Sequence, residues 1–199
     1  MPTRKPSRLL AISLLTLATA CAHPPLLDAP GRESLIRSTA GAPPRVDLRD
    51  GGIESLWVPC PGHELPPAAA QGLSALLPGD FTAFEGHGRD RGRYRGTARY
   101  GANDLRGAVV EEDGTLWSRW HQIDPADAPA AVTRSLARDP EAEFLSLSFV
   151  QGGGPDRYRA ELQPRHAPLT VLEITTDGRA STVRHRIPAE LQFSVPRRR

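Results

Sequence analysis

Lysine and methionine are almost missing from this chain: Lys5 is the only lysine and Met1 the only methionine. Once the first 20 residues are set aside, the Lys/Arg complement is arginine throughout, which a GC-rich coding bias accounts for more readily than selection for guanidinium chemistry. Cysteine is scarce too, with only Cys21 and Cys60. A haem-attachment or CxxC redox motif is thereby excluded, since "CPGH" (60–63) has no second cysteine. No apolar run reaches the roughly 20 residues a retained membrane helix needs. GxSxG, HExxH and P-loop sequences are absent as well, which removes the common motif-borne hydrolase, zinc-protease and nucleotide chemistries.

What is there begins with a basic head, Arg4, Lys5 and Arg8, followed by the 12-residue apolar run Leu9–Ala20. A charged head, a short apolar centre and small residues at the boundary describe a secretory signal peptide. "LATAC" (17–21) resembles the lipobox of bacterial lipoproteins, with Ala18 where leucine is preferred. The resemblance implies lipidation of Cys21 as the new N-terminus, and Ala22 in place of Asp implies the outer membrane. The alternative is an ordinary signal peptide that precedes a cysteine. Removing residues 1–20 takes away three basic residues and no acidic ones. The remainder has 25 − 3 = 22 Lys+Arg against 23 Asp+Glu, a net charge of −1. Nucleic acid then loses its main electrostatic support as a partner. Cys60, left alone, is expected to be buried and inert.

The expected organisation is a signal peptide (1–20), a lipid anchor with a proline-bearing tether (21–45) and a leading hairpin or partial repeat (46–64). Two α+β repeats (65–123 and 124–190) and a basic tail (191–199) follow. The repeats rest on internal matches. At an offset of 64, Asp113-Gly114 falls on Asp177-Gly178, His121 on His185, Ile123 on Ile187, and Arg93-Tyr94-Arg95 on Arg157-Tyr158-Arg159. Upstream, Phe81 falls on Phe144 at 63 and Pro67-Ala68-Ala69 on Pro129-Ala130-Ala131 at 62. Each unit reads as a proline-led helix, then alternating strands such as "FLSLSFV" (144–150), where Leu145, Leu147 and Phe149 share a face, and an Asp-Gly hairpin. The expected fold class is α+β: two tandem units, each a helix plus a four-stranded antiparallel sheet.

That order of helix, tyrosine-centred strand and Asp-Gly hairpin resembles the PepSY-like envelope proteins, also described as β-lactamase-inhibitor-like (BLIP-like). The resemblance spans about residues 46–190. It implies a repeated α+β fold with an open sheet face and a binding role, and it carries no catalytic residues.

His63, His87, His121, His166 and His185 are scattered, with no ligand cluster, so neither a metal nor another cofactor is expected. The aromatic residues are more suggestive. Trp117 and Trp120, three apart in one strand, are expected on opposite faces. Together with Trp57, Tyr94, Tyr100, Arg119 and Tyr158 they form a candidate partner-binding set, although the same side chains would equally serve to fill the core or pack the repeats. The expected function is that of a lipid-anchored envelope protein, not an enzyme. It would bind an envelope protein or peptide, with inhibition as one outcome. An assembly lipoprotein of the outer membrane is the alternative, and a metal-dependent or hydrolytic enzyme a third reading.

Overall fold

The structure is a computed structural model that describes residues 43–49, 52–137, 141–166 and 168–186. The expected signal peptide, Cys21, most of the expected tether, Asp50 and Gly51 of the expected leading hairpin, and the basic tail lie outside the described residues.

Ten strands form one sheet in strict sequence order, every neighbour antiparallel. They are β1 Arg45–Arg49, β2 Gly52–Pro59, β3 Thr82–Gly88, β4 Arg93–Gly101, β5 Asp104–Glu111, β6 Leu116–Gln122, β7 Glu143–Gly152, β8 Arg157–Gln163, β9 Leu169–Thr175 and β10 Ala180–Arg186. Helix α1 (Pro67–Leu76) lies between β2 and β3, and α2 (Ala130–Leu136) between β6 and β7. Two helix-plus-four-strand units were expected, and the sheet overturns that division. β2 pairs with β3, and β6 with β7, so the hydrogen-bond ladder runs unbroken across both supposed boundaries. An unpaired strand edge is costly and prone to association, and pairing across the boundary removes two such edges.

Both helices begin behind a proline, where the missing N–H costs nothing. Ala69 and Leu73, four apart on α1, are fully buried with Leu77 against Tyr94, Ala98, Ala108 and Val110 of the sheet. On α2, Val132 is buried against Leu147, Ala160 and Ile174, with Leu136 half-covered beside it. The Asp-Gly turns end directly under the helices. Gly114 and Gly178 have φ +85° and +87°, and a Cβ would stand 2.6 Å from the Ala68 carbonyl oxygen in the first and 2.5 Å from that of Ala131 in the second. Gly72, a helix-weakening residue by propensity, is explained the same way: its Cβ would lie 2.7 Å from the Gly114 carbonyl oxygen. Backbone meets backbone at this contact, and only glycine allows it.

Local irregularities redirect several side chains. The β7–β8 register shifts between Phe144 and Ser146, so the expected alternation begins only at Leu147. Leu147 is fully buried, whereas Phe144 and Leu145 are 39% and 42% exposed. The β5–β6 register shifts between Val109 and Val110, where Leu116 and Ser118 are paired and Trp117 is the extra residue. Such a bulge breaks the two-residue alternation. The expectation that Trp117 and Trp120 point to opposite faces fails for this reason. Trp117 meets Arg93 and Trp120 meets Arg95, two residues apart and therefore on one face of β4.

Candidate binding face

Cross-strand partners share a face of a sheet, so the pairing assigns each side chain. Opposite the helices lie Arg45 and Asp47 on β1, Ser55 and Trp57 on β2, Phe84 on β3, Arg95 on β4 and Val109 on β5. The same face continues through Trp120 on β6, Val150 on β7, Arg157, Arg159 and Glu161 on β8, Glu173 on β9, and Arg184 and Arg186 on β10. Its floor is apolar: Trp57, Val109, Trp120 and Val150 are buried together, with Phe84 packed against them. A Cβ on Gly107 would stand 1.8 Å from the Trp120 ring, so the indole lies flat on the glycine's backbone.

The sheet is strongly curled. Laid flat, β1 and β10 would be nine strand spacings apart, roughly 43 Å. Yet Arg45 on β1 feels the charges of Arg186 on β10 and of Arg159 and Glu161 on β8. Arg95, in mid-sheet, feels Arg45, Arg159, Asp47 and Arg186. The face opposite the helices is therefore the concave one, and the centre expected to be an open surface is lined by its own arginines.

Four of these arginines have acidic partners. Arg45 Nε is 4.0 Å from Asp47, which also accepts a hydrogen bond from the Ser55 hydroxyl at 3.2 Å. Arg159 donates to Glu173 at 2.9 Å, and Arg157 Nε lies 3.3 Å from the other oxygen of that carboxylate. Arg186 donates to Glu161 at 2.6 Å. Burial works against the Glu173 carboxylate, but the bond from Arg159 and the charges of Arg159, Arg157 and Arg184 outweigh it, and its pKa falls below the usual value. Arg95 differs. Its guanidinium lies over Trp120, with Cζ 4.6 Å from the ring centroid. Its Nε is buried and has no hydrogen-bond acceptor among the described residues. Burial first, then the charges of Arg45 and Arg159, lower its pKa to about 9, so it remains charged at neutral pH.

The sequence-derived binding set divides between the two sides. Trp57 and Trp120 are buried on the concave floor, at 6% and 9% exposure, and Trp117 is 39% exposed under Arg93, whose Cζ is 3.6 Å from the ring centroid. Tyr94 is buried under α1, and Tyr158 packs in the α2 core against Phe149. Tyr100 is exposed on the helix side, donating to the Pro78 carbonyl at 2.9 Å with Arg106 against its ring. Arg119 is exposed and donates to Gln151. The two Arg-Tyr-Arg segments explain the split. Each tyrosine points under a helix, and its two flanking arginines point to the concave face. Arg95, Arg157 and Arg159 lie outside the sequence-derived set, although alternation alone places them opposite the tyrosines that belong to it. Cys60 is buried, as expected, and burial pushes its thiol up to about 11, the opposite of an activated nucleophile.

No protein-family profile and no curated protein matches the chain. Solved structures do. A DUF2874 family protein from Bacteroides ovatus has a TM-score of 0.49 and 11% identity, covering 61% of this chain and 87% of that one. A structure from Bacteroides eggerthii described as "putative periplasmic proteins" has a TM-score of 0.50 and 13% identity, covering 61% and 88%. A BLIP-like protein from Bacteroides fragilis has a TM-score of 0.47 and 8% identity, covering 67% and 94%. At 13% identity the likeness to the Bacteroides eggerthii structure is one of fold.

Proposed function

We propose that the chain is a lipid-anchored envelope protein, held at the outer membrane through Cys21, that binds a protein or peptide partner through the concave face of its sheet. The PepSY-like and BLIP-like resemblance of residues 46–190 and the lipobox-like "LATAC" support the location and the binding role. One structural observation supports the choice of face. The chain's three tryptophans all lie on it or at its edge, two of them stacked with guanidinium groups, and Trp117 is left accessible. Tryptophan and arginine are the side chains that most often anchor protein interfaces. The protein acts by binding, without catalysis, and inhibition of the partner is one form that binding takes.

Affinity capture from envelope extracts tests this reading, with wild type compared with Trp117→Ala. A protein retained by the wild type and lost with the variant supports it; identical captures contradict it. A barrel-assembly complex as the lost partner would turn the reading towards assembly. Mass spectrometry of the membrane fraction tests the anchor: a mature N-terminus at a residue other than Cys21 overturns that part.

A further inference from the structure

Among the described arginines of the concave face, Arg95 is the one with a buried nitrogen that no acceptor meets. Arg45 has Asp47, Arg157 and Arg159 share Glu173, and Arg186 has Glu161. Arg95 has an aromatic platform and, at its buried Nε, no acceptor among the described residues. Stacking uses the face of a guanidinium and leaves its edge free for acceptors in its own plane. Four neighbouring arginines already hold carboxylates, and Arg95 is built to the same chemistry. The paired groups remain partly accessible: Arg45, Arg159 and Arg186 keep 31%, 23% and 45% of their side-chain surface.

We infer that Arg95 receives one carboxylate of the partner, an aspartate or glutamate side chain set against Trp120 and between Arg45 and Arg159. This inference rests on the concave face being the binding face. The field there is mixed rather than uniformly positive. Asp47, Glu161 and Glu173 would repel the evenly spaced charges of a nucleic-acid backbone, whereas a single acidic side chain among apolar neighbours meets a cation and an apolar floor. A buried guanidinium without an acceptor, next to other cations, lowers the stability of the free protein, a cost that an acceptor brought by the ligand would offset.

The test uses tryptophan fluorescence of the full chain, since every tryptophan is at this face. The probes are a short capped peptide with a central glutamate between leucines, its glutamine twin, and oligothymidylate. The glutamate peptide is expected to bind about tenfold more tightly than the twin, the scale of one charge-assisted contact. Arg95→Met is expected to abolish the preference while the melting temperature stays level or rises. A purely structural arginine would instead lower it. If Arg95→Met does not fold, Arg95→Lys gives the same comparison: a preference reduced at least threefold supports the inference, because a point charge cannot replace the planar fork, and an unchanged one overturns it. Equal binding of the two peptides overturns the carboxylate inference and leaves the binding face standing. No binding of either peptide overturns it too, and capture with Trp117→Ala then judges the face separately. Oligothymidylate binding more tightly than the glutamate peptide overturns the inference in favour of a nucleic-acid face.

Discussion

At the scale of single residues, the two neighbouring tryptophans are expected to behave differently although they share a face. Trp120 is buried, and Trp120→Ala is expected to cost about 3–5 kcal/mol in denaturant unfolding. Trp117 is 39% exposed on a bulge, and Trp117→Ala is expected to cost under about 1 kcal/mol. Equal losses would show that Trp117 is part of the packed floor. Gly107→Ala is the complementary test: its methyl would occupy the Trp120 ring position, and a loss of about 1–3 kcal/mol with a shifted emission spectrum is expected. None of this was legible in "LWSRWHQI". Counting by twos separates the tryptophans, and only the cross-strand register reveals the extra residue at position 117. Alternation was legible in Arg-Tyr-Arg, where a buried tyrosine forces its flanking arginines to the far side.

At the scale of elements, the helices and hairpins were read from local chemistry and hold. Proline set the helix starts, and Asp-Gly marked turns that the structure places beneath each helix. What local chemistry lacks is the information for where one sheet stops, because the β2–β3 and β6–β7 pairings join strands separated by a whole helix. Gly114→Ala and Gly178→Ala each combine a positive φ with a clash against a helix carbonyl. Each is expected to destabilise by about 1–3 kcal/mol, most visibly as faster amide exchange in the helix above. Strands β8 and β9 are tied by Glu173, whose folded pKa lies below its unfolded value of about 4.3. Its contribution is therefore complete above that value and is lost as pH falls through the folded pKa. An acid titration of unfolding free energy is expected to show a shallower decline below about pH 4.3 in Glu173→Gln than in the wild type. Parallel curves would mean the pair is not linked to folding.

At the scale of the whole molecule, the ten-stranded sheet has one side committed to helices and the other curled around arginine and tryptophan. The curl brings Arg45 and Arg186 from opposite ends of the sheet into one field, a consequence of accumulated strand twist that no short motif records. The helices cover one side of the sheet, and the centre of the other side, expected to be an open surface, is floored by buried tryptophans and lined by partly accessible arginines. The accessible anchor is at its rim. The central claim, that partners meet this side, is tested most directly by photo-crosslinking from two sites of matched exposure. These are Trp117 at the concave face, 39% exposed, and Tyr100 on the helix side, 41% exposed. With a benzophenone amino acid at one or the other position in cells, the account predicts a discrete crosslinked partner from position 117 and none from position 100. A partner captured from position 100 alone, or equally from both, would contradict it.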